Sequence, residues 1–413
     1  MTVRVNKSSF NIREKLSELE RPIGLKGSEL MRAETAQEAR NLVSAGRKNL
    51  IINGDMKVAQ RGTSSTSTGY RTVDRINSTY AQITQTQTQQ SLTSGDPYDE
   101  GLRYFFRVQN TSVSSNSTAL SEISYRIEGQ DINQSGWNFK SGNSYLTVSF
   151  WVRSSLAGTY YFWLNSPETS AVGYYRIPFT LSSNTWTKIT HSIPGNSGIT
   201  IDNDNGTGLI LYWIPYYGTD YTGSTALTEQ WSGRTGNDYL PDFVQNWCNT
   251  ASATFDITGV QLEVGRNATD FEHRSYGEEL ALCQRYYQTT NMNTSYTGSG
   301  NFVGESAYTG WQYSSAGGSC RIRLPVAMRV QPAASIVGTA ADTTSSPSIG
   351  ADGTIGAYGD GTWITTPSFT IGETTPLSVR VTGGSLTGAG KDAWGLYFYG
   401  TYLTSTVKLD AEL

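Results

Sequence analysis

The residues best suited to chemistry in this sequence are aromatic side chains in polar, turn-rich segments. An aromatic ring on a loop can stack against the apolar face of a sugar ring, while nearby polar side chains bond the sugar hydroxyls. The alternative role of such rings is to anchor loops or to contact another subunit, and the sequence leaves it open. The candidate glycan-binding residues are Tyr216, Tyr217, Tyr221 and Trp231 in one region and Trp311, Tyr313 and Trp363 in another.

Residues with the spacing of a catalytic or metal site are missing from the sequence. Its two histidines, His191 and His273, form no HExxH motif, and neither a GxSxG elbow nor a phosphate-binding loop occurs. A glycosidase needs two carboxylates that face each other across a cleft, and the spacing pairs none of the candidates. These candidates are Glu128, Asp131, Asp242, Glu263 and Glu272. We therefore predict a protein that is not an enzyme, with no catalytic residues, no metal and no cofactor.

An Asx-rich segment, residues 202–206 with the sequence DNDNG, resembles half of a calcium-binding loop. It lacks the later glutamate that an EF-hand requires. Asn and Asp side chains also favour tight turns by bonding to the backbone two residues on. We predict a turn between two strands here.

Composition and charge exclude several classes of partner. The net charge of the 413 residues is −4 and no dense Lys/Arg run occurs, so a nucleic-acid partner is not expected. No apolar run reaches the roughly 18 residues that a membrane span needs, and the N-terminus lacks the pattern of a signal peptide. Neither membrane insertion nor secretion is therefore predicted. Cys248, Cys283 and Cys320 form no CxxC pair, and each is predicted to be a small buried hydrophobe.

Two short helices are predicted in residues 1–48. Asn11 caps the first, which ends before Pro22, and Thr35 with Glu38 forms a capping box for the second, which ends at Gly46. Because two such helices bury little surface alone, we expect this segment to oligomerise or to dock on another protein.

From residue 49 onward the hydrophobic pattern has the period of two that is typical of strands. Residues 145–153 alternate strictly, and together with the run 160–164 after Gly158 they predict a hairpin. Further strands are predicted at 186–193 and 209–214. The alternation changes phase within residues 254–264, from odd positions before Gly259 to even positions after it. A glycine β-bulge at Gly259 would return all five apolar residues to one core face: Phe255, Ile257, Val260, Leu262 and Val264.

Residues 275–290 are predicted to be a connector helix, because Tyr276, Leu280, Cys283 and Tyr287 recur at helical spacing. Residues 291–413 return to a β pattern and predict a second, smaller sandwich. In it, a strand that includes residues 322–328 would lie at a sheet edge because of Pro325. Other strands are predicted around 394–399 and 403–409.

A series of motifs, in order, resembles a carbohydrate-binding-module-like domain found in phage tail fibres and related virion proteins of marine or cyanophage type. The motifs are NLIINGDM (49–56), QRG (60–62), DR (74–75), IEGQ (127–130), LTVSFWVR (146–153), TW (185–186), ITGVQLEVG (257–265), AT (268–269), FE (271–272) and ELALCQRYY (279–287). Ile76 departs from the pattern, which usually has Trp after Asp-Arg. The resemblance covers roughly residues 49–290 and supplies no binding residue.

The resemblance implies a mainly β chain with four parts. These are an N-terminal helical anchor (1–48), a central jelly-roll sandwich (49–274), a connector helix (275–290) and a distal sandwich (291–413). It implies a virion protein made in the host cytoplasm, a tail fibre subunit expected to be a homotrimer. Residues 1–48 would bind a tail adaptor, nozzle or baseplate protein, and the distal loops would contact host polysaccharide or lipopolysaccharide. The alternatives are a capsid, collar or baseplate decoration protein, and a tail-borne polysaccharide depolymerase.

Overall fold

The computed structural model describes residues 48–413 except residue 170 and parts of the C-terminal region. The parts left out are 292–294, 298–300, 304–307, 315–316, 338, 341–353, 360–361, 365–367, 385–395 and 402–405. The predicted helices of segment 1–48 lie outside the described residues, which begin at Lys48. The described chain is mainly β, as the sequence predicts.

Two facing six-stranded sheets form the central sandwich. Its strands are β1 Ser64–Ser65, β2 Asn77–Ala81, β3 Gln85–Ser91, β4 Tyr104–Asn110, β5 Leu120–Glu128, β6 Tyr145–Ser154, β7 Gly158–Asn165, β8 Tyr174–Leu181, β9 Thr187–Pro194, β10 Thr207–Tyr217, β11 Trp231–Ser232 and β12 Thr254–Val264. Sheet A has the order β1-β3-β4-β12-β6-β9, and sheet B has the order β11-β8-β7-β10-β5-β2. Two short helices, α1 Asp96–Asp99 and α2 Gly129–Asn133, lie in the connections. The sequence pattern predicted neither helix.

The strands β6 and β7 do not form the predicted hairpin. β6 pairs with β9 and β12 in sheet A, whereas β7 pairs with β8 and β10 in sheet B. The apolar faces of both strands point into one core, where the rings of Phe150 and Phe162 lie 5.4 Å apart across the sandwich. The hairpin prediction was wrong because two consecutive strands can bury their apolar faces in one core from opposite sheets, as well as from neighbouring positions in one sheet.

Gly259 forms the predicted β-bulge in β12. The pairing of β12 with β6 shifts register between Thr258 and Gln261, and Gly259 has a φ of 59°. The five apolar side chains of β12 are buried in one core, as predicted: Phe255, Ile257, Val260, Leu262 and Val264. Asn49 stabilises the bulge through two hydrogen bonds. Its Nδ2 donates to the Val260 carbonyl at 3.1 Å, and its Oδ1 accepts from the Leu262 N–H.

The connector helix is shorter than predicted. Helix α3 spans Tyr276–Gln284 and starts with a capping box between Ser275 and Glu278. The helical prediction is wrong for 287–290, because Tyr287 begins a strand that pairs with the chain's last strand. Of the predicted helical face, Cys283 is buried, whereas Tyr276 is 57% exposed.

The remaining strands belong to the C-terminal region. They are β13 Tyr287–Asn291, β14 Ser295–Thr297, β15 Asn301–Val303, β16 Tyr308–Ser314, β17 Gly317–Arg323, β18 Ala333–Val337, β19 Thr339–Ala340, β20 Thr354–Gly359, β21 Thr362–Ile364, β22 Ser368–Thr375, β23 Ser378–Gly384, β24 Leu396–Thr401 and β25 Thr406–Asp410. A three-stranded sheet has the order β13-β25-β18, β14 pairs with β15, and the other strands form an eight-stranded sheet.

Two predicted strands of this region differ in extent from the structure. Ile322 is buried in β17, but that strand ends at Arg323, so residues 324–328 are not the edge strand expected around Pro325. Proline lacks the N–H that would continue the ladder. The closing strand is confirmed in β25, where Val407 and Leu409 are fully buried. Trp394 and Leu403, which the predictions included, lie outside the described residues.

A buried ion pair joins the end of the chain to the sandwich. Arg75 is fully buried, its guanidinium carbon lies 3.4 Å from the ring centre of Tyr286 and 5.1 Å from that of Tyr125, and its Nη1 pairs with the carboxylate of Glu412. Burial opposes the charged form, but Glu412 holds the pKa of Arg75 above its usual value. The Ala411 N–H also donates to the Tyr286 carbonyl at 2.8 Å, so residues after β25 are fastened to the sandwich.

Gly259→Ala should destabilise the protein more than Gly236→Ala, a matched control. Both glycines have a φ near +60°, where an L-residue costs roughly 1–2 kcal/mol. A Cβ at Gly259 would lie 2.7 Å from Leu102 Cδ1, whereas nothing lies within 4 Å of one at Gly236. We expect overpacking to add about 1–3 kcal/mol at Gly259, measured by urea unfolding. Equal losses would contradict the packing that we assign to the bulge.

Glu412→Gln should lower the free energy of unfolding by about 3 kcal/mol, because it leaves the Arg75 charge buried without a counter-charge. The control is Glu373→Gln, which breaks the ion pair between Arg321 and Glu373, whose side chains are 41% and 50% exposed. That exposed pair should contribute less than about 1 kcal/mol. Denaturant unfolding of both variants measures the difference. Similarly small losses of unfolding free energy would contradict a stabilising role for the buried pair.

Candidate functional site

The outer face of sheet B carries a group of aromatic side chains. In β7, β8 and β10 alternate residues point into the core, so the residues between them point outward, and three of these are Trp163, Tyr174 and Tyr212. Three more rings join them from β10 and from the segment that follows it. We call the six residues the tyrosine face: Trp163, Tyr174, Tyr212, Tyr217, Tyr221 and Tyr239.

Trp163 lies at the centre of the tyrosine face. The distances from its ring centre to those of Tyr212, Tyr174, Tyr239 and Tyr217 are 5.1, 5.4, 5.5 and 6.1 Å. Most of these contacts are edge-to-face, the geometry that aromatic pairs favour. The centre of the face is therefore a packed aromatic floor with a fixed arrangement of rings.

The tyrosine face is partly open to solvent. Trp163 is 3% exposed and Tyr217 is 6% exposed, whereas Tyr174, Tyr212, Tyr221 and Tyr239 are all partly exposed. Four phenol rings thus stand around a buried floor. Each has an aromatic ring and a hydroxyl, and a hydroxyl can both donate and accept a hydrogen bond.

Arg176 anchors the backbone of residues 227–239, the segment that supplies Tyr239 to the tyrosine face. It is fully buried, and its guanidinium donates to the backbone carbonyls of Leu227, Gly233 and Tyr239 and, at 2.7 Å, to the Ser232 hydroxyl. Burial lowers the pKa of Arg176 to about 10. Because the acceptors are backbone carbonyls of residues 227–239, this arginine sets the position from which Tyr239 reaches the face.

A half-buried acid lies at one end of the tyrosine face. The Tyr217 hydroxyl donates to the carboxylate of Glu122, an outward residue of β5. Burial raises the pKa of Glu122, and burial together with the Glu122 charge raises the pKa of Tyr217. This hydrogen bond fixes the Tyr217 ring against Trp163.

The predicted glycan-binding residues have different positions in the fold. Tyr217 and Tyr221 belong to the tyrosine face, and Tyr216 is partly exposed beside it, with its ring 5.4 Å from that of Phe243. Trp231 is 8% exposed, and its indole N–H donates to the Pro194 carbonyl at 2.6 Å. Its position is that of a loop anchor. For Trp311, Tyr313 and Trp363 the backbone lies in β16 and β21, and their side chains are outside the described residues.

Four residues of the tyrosine face were missed in the sequence. Trp163, Tyr174, Tyr212 and Tyr239 are not among the glycan-binding candidates that the sequence indicates. Runs such as 160–164 and 209–214 are apolar or aromatic on both faces, which would have been a usable signal. A strand with one solvated face has polar residues there, so aromatic residues on both faces indicate a second contact surface.

The candidate carboxylates Glu128, Asp242, Glu263 and Glu272 accept hydrogen bonds within the fold. Glu128 is fully buried and accepts hydrogen bonds from Arg285 and, at 2.6 Å, from the Tyr286 hydroxyl. Burial opposes its charge, but these two donors hold the pKa of Glu128 below its usual value. The other three accept from neighbours as follows: Glu263 from Gln261 and Thr269, Glu272 from the Lys48 and Asn49 N–H groups, and Asp242 from Thr222.

The segment 202–206 is a turn between β9 and β10, as predicted. The Gly206 N–H donates to Asp204 Oδ1 at 2.8 Å, which is the bond of an Asx turn. Its neighbour Asn205 donates to the Arg329 carbonyl at 3.1 Å. The loop thus contacts the C-terminal region through the backbone of residue 329.

The described residues contain neither a cluster of potential metal ligands nor a membrane-spanning helix. Among them, no group of three His, Cys, Asp or Glu side chains is placed to hold a metal ion. No helix in the described part of the chain has the length and apolar character to cross a membrane. Cys248 and Cys283 are buried free thiols, as predicted, and burial raises the pKa of Cys248 to about 12. The side chain of Cys320 is outside the described residues.

No family model matches the sequence, and no curated protein matches it. Solved structures similar to parts of the chain include the enzymatically active domain of bacteriophage CBA120 tailspike protein 4, with 10% identity over 52% of this chain and 21% of that chain and a TM-score of 0.28. The family 11 carbohydrate-binding module of the Clostridium thermocellum cellulase Lic26A-Cel5E is 12% identical over 50% of this chain and 96% of that chain, with a TM-score of 0.25. A cyclase from Fischerella sp. TAU is 10% identical over 54% of this chain and 100% of that chain, with a TM-score of 0.31. Because these similarities are low, the function is inferred from the residues of this chain.

Proposed function

We propose that the chain is a non-enzymatic attachment subunit that binds glycan through the tyrosine face. The observation that carries this proposal is the packing of three partly exposed tyrosines, Tyr174, Tyr212 and Tyr239, around the buried Trp163. Tyr221, also partly exposed, packs beside them on Tyr217 and Tyr239. A sugar ring can stack its C–H face on such a ring, while phenol hydroxyls bond its hydroxyl groups. The exposed guanidinium of Arg234, 4.3 Å above the ring centre of Tyr239, adds a donor at the rim.

The use of carboxylates in the fold supports binding without catalysis. A hydrolase keeps two carboxylates facing a substrate, one of them as a proton donor. Here Glu128 is tied to Arg285 and Tyr286, and Glu122 to Tyr217, so each has a structural partner. The tyrosine face offers rings and hydroxyls for recognition.

In this role the chain serves as a phage tail fibre subunit in the virion, as a homotrimer. Residues 1–48 attach it to a tail adaptor, nozzle or baseplate protein, and the ligand is a polysaccharide or lipopolysaccharide of the host surface. The motifs at 49–56, 146–153 and 257–265 support this assignment through their resemblance to virion proteins, and the sandwich is the fold that the resemblance implies. Three copies would strengthen a weak sugar contact through multivalency.

Tyr212→Ala should weaken glycan binding by about tenfold, the effect expected for an interface residue that contributes more than about 1 kcal/mol. Tyr212→Phe keeps the ring and should retain most of the affinity if stacking dominates. The measurement is an array of bacterial surface polysaccharides, followed by titration calorimetry with the best ligand.

The control for this experiment is Tyr276→Ala, which removes an exposed tyrosine from α3. It should leave binding unchanged. If Tyr212→Ala binds as well as the unchanged chain, the tyrosine face is not the site. If the unchanged chain releases oligosaccharide from the bound polysaccharide, the non-enzymatic role is wrong, and a monomeric mass at high concentration would contradict the trimer.

A further inference from the structure

A polar cleft of about 430 Å³ lies between the sandwich and the three-stranded sheet β13-β25-β18. One wall is the segment from Arg61 to Arg71, which includes the edge strand β1. The other wall includes Tyr287, Ser335 and Lys408. The volume is within the range of small-ligand sites.

The register of the three-stranded sheet determines what faces this cleft. Tyr287, Asp410 and Ala333 lie side by side across the strands, and Lys408 and Ser335 lie in the next row on the same face. The opposite face holds the fully buried side chains of the alternate residues, Val407 and Leu409. Because Ala333 and Ser335 are small, their strand leaves room in front of the sheet.

Arg61 and Asp410, which both line the cleft, form an ion pair. The Arg61 side chain is 8% exposed, its guanidinium carbon lies 3.6 Å from the ring centre of Tyr287, and it pairs with Asp410 at 3.1 Å and Glu412 at 3.3 Å. The carboxylate of Asp410 also accepts from the Glu412 N–H at 3.0 Å. This carboxylate is therefore already paired within the lining of the cleft.

Two other cations line the cleft, Arg71 and Lys408. Arg71 is exposed and donates its Nε–H to the Thr68 carbonyl at 3.0 Å, which fixes the side chain and leaves both Nη groups for a ligand. Among the described residues, neither Arg71 nor Lys408 is within ion-pair distance of a carboxylate. In a chain with a net charge of −4, a cleft with two such cations is locally positive.

Hydroxyl groups complete the lining, from Ser64, Ser65, Ser67 and Ser335. A serine hydroxyl both donates and accepts, as do the hydroxyls of a sugar. We infer that this cleft binds an acidic saccharide, with Arg71 and Lys408 contacting its anionic group and the serines its hydroxyls. It would be a second site, separate in its residues and its chemistry from the tyrosine face.

The test is titration calorimetry of the full chain with an oligogalacturonate, which carries carboxylates, a sulfated dextran oligomer, which carries sulfates, and a neutral dextran oligomer. The unchanged chain should bind one or both anionic probes and not the neutral one. The double variant Arg71→Ala with Lys408→Ala should raise the Kd by at least about tenfold, as the loss of two charge-assisted contacts predicts. Ionic strength of about 1 M, where the screening length is about 3 Å, should weaken binding in the unchanged chain.

The matched control is Lys140→Ala with Arg323→Ala, which removes the same charge from exposed positions that do not line the cleft. Its affinity should equal that of the unchanged chain. Failure of the unchanged chain to bind either anionic probe, or equal losses in both double variants, would overturn the cleft site. Equally tight binding of a short single-stranded DNA would overturn it as a saccharide site.

Tyr212→Ala separates this inference from the proposed function. It should leave the affinity for the acidic probe unchanged if the cleft is the site. If Tyr212→Ala abolishes that binding while the Arg71/Lys408 variant retains it, the acidic saccharide binds the tyrosine face. The cleft is then rejected, and the proposed function stands.

Discussion

The arrangement of the central sandwich and the C-terminal region depends on the interaction between Arg75 and Glu412. A guanidinium with no exposed surface needs a counter-charge, and this one comes from the penultimate residue of the chain. Tyr125 from β5 and Tyr286 from the link after α3 enclose it. One buried charge therefore ties together a strand of the sandwich, the connector and the C-terminal segment.

The cleft forms because this ion pair holds the C-terminal segment against the sandwich. Its two walls come from segments far apart in the chain, and the bond between Arg61 and Asp410 spans 349 positions of sequence. The Arg329 guanidinium adds another link, donating to the carbonyls of Ala411 and Asn205. With these contacts in place, the chain presents two surfaces of different chemistry. The tyrosine face consists of aromatic rings, whereas the cleft carries charged side chains, whose interactions salt screens.

Several of the motifs that carry the family resemblance have structural roles in this fold. Asn49 bonds the backbone of Val260 and Leu262, directly after Gly259, and Glu272 accepts from the N–H groups of Lys48 and Asn49. Arg153, the last residue of the motif at 146–153, pairs with Asp256, which is fully buried in β12 and also pairs with Arg107 on β4. These polar residues fasten the outer face of sheet A. A match in these motifs therefore indicates the sandwich, and specificity depends on residues elsewhere.

The sequence by itself determined which side chains enter the core, because alternation along a strand is a local property of the backbone. It predicted the buried face of β6, the bulge at Gly259 and a helix near Ser275, each from neighbours within a few residues. Tertiary structure alone decided that β6 and β7 belong to different sheets and that Tyr287 leaves the helix to pair with β25. It also decided which aromatic rings remain open on sheet B. Each of these outcomes depends on partners far away in sequence, and the spacing of residues along the chain contains no information on such contacts.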